Sequence, residues 1–317
     1  MNAIIIKELC ENIRENISKV IIGKDDVIDF VITTFLAGGN VLLDDIPGVG
    51  KTVMSKSLAK SVNCIFKRIQ FTPDLLPTDL TGVNYFNQKD CEFIFKEGPI
   101  FSNIVLADEI NRATPRTQSS LLECMEEDQV TVDGETRILD KPFFVIATQN
   151  PIENHGTFPL PEAQLDRFLM KIKIGYPSYS EGRNILDSME KGHNFDKIIA
   201  VCDREDIVKA QKYIYNIKVS SAVKDYINDI VELTRKNSKI ALGVSPRGSL
   251  YLMKASQAFA ALNGREYVLP DDVKKLVLPV FSHRIILKET MSLETVKSAE
   301  IVLSTILSQI QVPIENI

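Results

Sequence analysis

The chain has 317 residues, enough for two domains of ordinary size, and its 44% hydrophobic and 25% charged composition is that of a globular protein. A net charge of -5 supplies no electrostatic footprint for nucleic acid, and no apolar run approaches the ~20 residues of a membrane span. The N-terminus, with Glu8, Glu11 and Glu15 among its apolar residues, lacks the basic flank of a signal peptide, so a cytoplasmic protein is expected. Five scattered cysteines (Cys10, Cys64, Cys91, Cys124, Cys202) without a CxxC pair argue against a disulfide framework and a zinc site.

Taken in order, apolar residues at Ile6, Leu9, Cys10, Ile13 and Ile17 recur at the spacing of one helical face, which predicts a first helix over 6–17. A second follows Gly23, with Val27, Ile28, Val31, Ile32, Phe35 and Leu36 on its buried side and Gly38-Gly39 as its stop. Short apolar runs at 41–43, 66–71, 104–107, 143–147 and 170–174 predict strands that alternate with helices after Lys51 and over 116–127. Such an alternation predicts a mostly parallel sheet covered on both faces, and sheets of that kind bind ligands at the carboxyl ends of their strands. Two stretches interrupt it. Residues 85–100 read as two short strands around Asn87-Gln88-Lys89-Asp90, and 129–139 as a hairpin turning at Asp133-Gly134; each is either a functional projection or a solvated loop. Beyond Tyr176-Pro177 the strand signals fade. Helices are predicted over 180–191, 206–215, 221–236, 246–263, from Pro270 onward and over 292–310, so the C-terminal part reads as an all-helical domain.

Chemistry concentrates at the predicted strand ends. The run Val41-Leu42-Leu43-Asp44-Asp45-Ile46-Pro47-Gly48-Val49-Gly50-Lys51-Thr52 leads a strand through a Pro/Gly turn into an amphipathic helix, the context a phosphate-binding loop requires. Gly48 and Gly50 let backbone N–H groups converge on phosphate oxygens at the positive end of the following helix. The candidate nucleotide-binding set is Asp45, Pro47, Gly48, Val49, Gly50, Lys51, Thr52 and Val53, with Lys51 reaching the β- and γ-phosphates and the Thr52 hydroxyl holding Mg²⁺. The consensus G-x-x-x-x-G-K-[ST] has glycine where this chain has Asp45. Ile104-Val105-Leu106-Ala107-Asp108-Glu109 is a buried strand delivering two acids. On its own such an end is most often a solvated strand end; beside a phosphate loop, Asp108 is the candidate Mg²⁺ ligand, partly through water, and Glu109 the candidate base for the attacking water. Asn150, after the next strand, either hydrogen-bonds that water or the γ-phosphate, or starts an Asx-type turn before Pro151.

Together the stretches 45–52, 69–77, 107–113, 147–151 and 159–168, with Ser245-Pro246-Arg247, resemble the MoxR family of AAA+ ATPases in order and spacing. The resemblance implies an α/β fold: an αβα P-loop domain with a five-stranded parallel sheet over 1–178, and a helical lid over 179–317, with ATP between them and at a subunit boundary. It makes the two inserts pore-facing hairpins of a ring. It makes Arg167 an arginine finger, Arg247 a sensor arginine coupling the lid to the γ-phosphate, and Gln70 a polar switch for Glu109, although Gln70 could as well cap Thr72. Arg112 and Arg116 could line the subunit boundary, and His155 and His283 read as structural.

The implied function is a Mg²⁺-dependent ATPase with Glu109, Asn150, Arg167 and Arg247 as its catalytic set. It would work as a homo-oligomeric ring, taken as a hexamer, that remodels, activates or assembles a partner protein, one with a von Willebrand factor A domain being a candidate. A magnesium-chelatase-like motor subunit and a nucleotide-gated scaffold with little turnover are the alternatives. No membrane span and no nucleic-acid partner are expected.

Overall fold

A computed structural model describes residues 1–150, 156–190, 194–288 and 295–313. Pro151, His155, the predicted helix end at 191–192 and the predicted helix start at 292–294 lie outside the described residues.

The chain opens with α1 (Ala3–Ser18), whose first turn is capped by the Asn2 side chain accepting the Ile5 N–H at 2.9 Å, and α2 (Asp25–Leu36), with Asp25 and Asp26 near its positive end. Then follow β1 (Val41–Asp44), α3 (Lys51–Ser61), β2 (Phe66–Gln70) and the short α4 (Pro77–Thr81). A hairpin of β3 (Gly82–Asn87) and β4 (Glu92–Glu97) precedes β5 (Ile104–Asp108) and α5 (Pro115–Glu127). A second hairpin, β6 (Gln129–Val132) and β7 (Glu135–Ile138), leads to β8 (Phe144–Gln149), α6 (Glu162–Leu165) and β9 (Met170–Ile172). Beyond these come α7 (Tyr179–Glu190), α8 (Arg204–Ile214), α9 (Ser221–Lys236), β10 (Ile240–Leu242), α10 (Pro246–Leu262), α11 (Pro270–Phe281), β11 (Ile286–Leu287) and α12 (Thr295–Gln309).

The main sheet has the order β2-β5-β8-β1-β9, with every pairing parallel. Period-two alternation splits its residues between two cores. Val41, Leu43, Ile104, Leu106, Phe144 and Ile146 join one core with α1, α2, α3 and the C-terminal helices. Leu42, Val105, Ala107, Val145 and Ala147 join the other, under α5 and the hairpins. Parallel pairing brings the carboxyl ends to one edge: Asp44 is level with Gln149, and Gln70 with Asp108. That edge is where the predicted chemistry converges.

The first hairpin starts earlier than its alternation suggested. Gly82, at φ 92°, pairs with Glu97, and a Cβ there would lie 2.3 Å from the Lys96 carbonyl, so the two strands can close only on glycine. The two hairpins also touch: Asn84 Nδ2 donates to Asp133 at 2.7 Å, and the Arg137 guanidinium lies 3.9 Å from the Phe95 ring centroid. The C-terminal part is helical apart from the small antiparallel pair β10–β11, which joins the α9–α10 connection to the segment after α11. No disulfide links the cysteines, and burial pushes the Cys64, Cys124 and Cys202 thiols up to about 12, so they behave as small packing residues.

A buried arginine fastens the helical part to the sheet. Arg284, just past α11 and 1% exposed at its side chain, donates to Asp166 Oδ1 at 2.8 Å and to the carbonyls of Asp166 at 3.0 Å, Phe168 at 2.5 Å and Leu169 at 3.3 Å. Ser245 Oγ, at the start of α10, donates to the other oxygen of Asp166 at 3.1 Å. Burial pushes the Arg284 pKa down to about 10 against the pull of Asp166, which leaves it charged at neutral pH. His283 is buried beside it, with Nε2 3.0 Å from the Phe168 carbonyl oxygen, the structural role expected of it. Arg284→Met is expected to lower the unfolding free energy by about 3–5 kcal/mol, because Asp166 and the carbonyls lose their donor in a dry site. Urea unfolding measures this; a loss below ~1 kcal/mol would show that water or neighbours replace the guanidinium.

Candidate functional site

The loop after β1 is built for close approach. Gly48 and Gly50 both take left-handed backbone, φ 85° and 92°, and a Cβ on Gly50 would also press on Ile21 Cδ1 at 3.1 Å. Gly50 is the N-cap of α3, so the unpaired N–H groups of that helix face the loop. Lys51 Nζ donates to the Asp45 carbonyl at 2.7 Å. Partial burial pushes the Lys51 pKa down, and the carboxylates of Asp108, Asp45, Glu109 and Asp44 oppose that shift. Pro47, Gly48, Gly50, Lys51, Thr52 and Val53 line a cavity of about 390 Å³ together with Arg68, Gln70, Asp108, Glu109 and Asn150, while Val49 lines the adjoining apolar cleft. The loop and the strand ends thus bring Lys51, Thr52, Asp108, Glu109 and Asn150 around one cavity.

Asp45 departs from its predicted place among the nucleotide ligands. Its Oδ2 accepts the N–H groups of Ile174 at 2.5 Å and Gly175 at 2.6 Å, and its Oδ1 that of Ile46 at 2.8 Å. The buried carboxylate thus faces the chain leaving β9, and only the backbone carbonyl of Asp45 turns to Lys51. The residue occupying the consensus glycine position has a physical use: it fixes the loop to the segment entering the helical part.

The two acids of β5 are held by residues that motif reading did not single out. Thr148 Oγ1 donates to Asp108 Oδ1 at 2.6 Å and accepts the Glu109 N–H at 2.8 Å, so one buried hydroxyl orients both. Arg68 donates to Asp108 Oδ2 from Nη2 at 2.6 Å and from Nε at 3.1 Å. Glu109 sits in left-handed backbone at φ 56°, uncommon outside glycine, and its Oε2 accepts from Gln70 Nε2 at 2.8 Å and Arg112 Nη1 at 3.0 Å. Gln70 is therefore bonded to Glu109, as the switch assignment requires, and Arg112 serves the same carboxylate. The signal for Arg68 was available: it stands two residues before Gln70, on the same face of β2.

The Thr52 hydroxyl and the Asp108 carboxylate both line this cavity, an all-oxygen donor pair suited to Mg²⁺, which keeps several waters and needs few protein ligands. Asp108 is ion-paired with Arg68, whose side chain is 47% exposed and free to move toward solvent. Among the described residues no group of three or more His, Cys, Asp or Glu side chains is arranged to hold a metal.

Next to the polar cavity lies an apolar cleft of about 530 Å³, walled by Ile21, Ile22, Val49, Tyr176, Pro177 and Ile185. It shares Pro47, Gly48, Gly50 and Val53 with the polar cavity, so a molecule with a flat apolar end and a phosphate tail fits across both. Val49 belongs to the phosphate loop, but Ile21, Ile22, Tyr176, Pro177 and Ile185 carry no motif, which is why sequence reasoning missed the cleft.

The two candidate arginines lie elsewhere. Arg167 donates to the Leu122 carbonyl from Nη1 at 2.7 Å and pairs with Glu126 Oε2 through Nη2 at 3.2 Å; Arg247 Nη2 donates to Glu126 Oε1 at 2.5 Å. Neither lines the phosphate cavity. Arg247, expected as a sensor arginine for the γ-phosphate, stands beside Arg167 at the C-terminal end of α5. The cause is the seating of α10. Ser245 is bonded to Asp166, and Gly248 packs so closely on Arg284 that a Cβ would lie 3.0 Å from Arg284 Cδ, which draws the start of α10 to the segment carrying Arg167.

Compared with known proteins, residues 40–170 match the family described as "ATPase family associated with various cellular activities (AAA)", and residues 232–304 match the AAA lid domain. The chain is 50% identical over 302 residues to the uncharacterized protein YeaC of Bacillus subtilis, covering 95% of this chain and 94% of that one. It is 40% identical over 309 residues to chaperone MoxR1 of Mycobacterium tuberculosis, covering 95% and 81%. Among solved structures, that of a candidate ATPase from Cytophaga hutchinsonii aligns with a TM-score of 0.89 at 35% identity, over 98% of this chain and 97% of that one.

Proposed function

The chain belongs to the MoxR family of AAA+ ATPases, and from that membership we propose that it hydrolyses ATP to ADP and phosphate in a homo-oligomeric ring, taken as a hexamer, to remodel, activate or assemble a partner protein. The observation that carries the ring is the separation of Arg167 and Arg247 from the phosphate cavity of their own chain, together with the completeness of that cavity in every other part.

In this reading the base of ATP enters the apolar cleft and its phosphates lie along the loop, where Lys51 and the N–H groups of Gly48–Thr52 bind them. Thr52 and Asp108 would hold Mg²⁺, which would supply charge neutralisation for the phosphates. Asn150 orients the attacking water, and Glu109, released from Gln70, accepts its proton. Arg167 and Arg247 act on the γ-phosphate held by the adjoining subunit, so each site is completed by the next copy. The functional division lies at residues 178/179, with the nucleotide-binding part before it and the lid after it. No helix among the described residues is long and apolar enough to cross a membrane, and we place the protein in the cytoplasm. MoxR1 is named as a chaperone, in keeping with a protein partner, for which a von Willebrand factor A domain is the candidate.

The test is turnover measured against protein concentration. A rate per subunit that rises as rings assemble supports this proposal. A flat rate near zero at all concentrations, with ATP still bound, supports the nucleotide-gated scaffold instead.

A further inference from the structure

The placement of Glu126 in the last turn of α5 goes further than the assignment of the two arginines. Its carboxylate is divided: Oε2 pairs with Arg167, which follows α6, and Oε1 with Arg247, in the first turn of α10. Arg167 is also held by the Leu122 carbonyl, one turn earlier on the same helix, so α5 supplies a two-point seat for the finger. Two guanidinium groups brought this close repel each other, and a carboxylate between them offsets that repulsion while setting their spacing. The three side chains are about one-third exposed, at 32%, 34% and 38% for Arg167, Glu126 and Arg247, so donor hydrogens remain open to a ligand arriving from outside.

We propose that Glu126 is a positioning residue that holds Arg167 and Arg247 as a matched pair for the γ-phosphate of the nucleotide in the adjoining subunit. The proposal rests on the ring reading above. A glutamate is required for the geometry: glutamine keeps one acceptor oxygen, but its amide would present N–H groups to the second guanidinium, donor against donor. Glu126 also links the pair to the second hairpin. Asp128, which takes left-handed backbone at φ 51°, turns α5 directly into β6, so the arginines rest against the helix that ends in that insert.

The experiment uses the full-length chain with ATP and Mg²⁺, and compares Glu126→Gln and Glu126→Asp with wild type. Glu126→Gln is expected to lower kcat by about 10–100-fold with KM for ATP within about twofold, since the cleft that binds ATP is untouched. Glu126→Asp, with both oxygens retained, is expected to recover part of that loss. Glu126→Gln subunits mixed with Glu109→Gln subunits are expected to regain turnover, because the intact clefts of the former are then served by the paired arginines of the latter. An unchanged or raised kcat for Glu126→Gln would overturn the proposal. So would a loss that persists at every mixing ratio, or rings failing to form in both variants, which would make Glu126 an assembly residue. The ring reading fails separately, if Arg167→Ala and Arg247→Ala themselves keep wild-type turnover.

Discussion

Replacing Glu109 by Gln is expected to leave ATP bound with near-normal affinity while cutting turnover by about 10²–10⁴-fold. The affinity should survive because the groups that would meet the phosphates, Lys51, Thr52 and the glycine backbone, are left unchanged by the substitution. The geometry should survive as well. Glu109 is held by its backbone N–H on Thr148 and by Gln70 and Arg112 on a single oxygen, Oε2, and the amide oxygen of glutamine can accept both of those bonds. What is lost is the ability to take a proton from water. Nucleotide binding followed by fluorescence, beside phosphate release, separates the two effects; normal turnover would remove Glu109 from the base role. The same variant loaded with ATP is also the form to use in capturing the partner, and recovery of a chelatase subunit would favour the chelatase-like alternative.

The parts of this site that were legible in the sequence are those whose chemistry is local. Gly48, Gly50, Lys51 and Thr52 announce a phosphate loop because backbone conformation, helix start and cation must all fall within a few residues. Asp108, Glu109 and Asn150 follow from apolar strands that must end at one edge of a parallel sheet. Arg68 and Thr148 escaped because each acts on groups that another strand brings alongside, Arg68 on the Asp108 carboxylate and Thr148 on that carboxylate and on the backbone N–H of Glu109, and only register reveals such pairs. Arg247 was legible as a polar residue at a helix start, but its contact with Glu126 was not. No local pattern shows where a helix bundle is seated; that is decided by Arg284 against Asp166, by Gly248 under Arg284, and by the shared core of α1, α2 and α10. Asp45 was misread for the opposite reason. Its position in the motif invites a role toward phosphate, while its carboxylate is committed to the N–H groups of Ile174 and Gly175, residues 129 and 130 positions away.

Arg167→Ala is expected to keep ATP binding and lose about 10³–10⁵-fold in turnover, the range an arginine finger contributes. Arg247→Ala is expected to fall in the same class, since both guanidiniums rest on one carboxylate, that of Glu126. Mixing Arg167→Ala subunits with Glu109→Gln subunits should restore part of the rate, because one copy then supplies the base and its neighbour the arginines; no recovery at any ratio would count against a finger supplied in trans. Mixing Arg167→Ala with Arg247→Ala subunits asks the sharper question. If Arg247 served the nucleotide on its own chain, an Arg167→Ala subunit would keep a working sensor and borrow a finger from its neighbour, and activity would return. With Arg167 and Arg247 both offered from the same face of the same donor, every interface in that mixture lacks one of the two. The expected result is therefore no recovery at any ratio, measured as phosphate release at protein concentrations where rings are assembled. Recovery would return Arg247 to the nucleotide of its own subunit and require α10 to move off α5 when ATP binds.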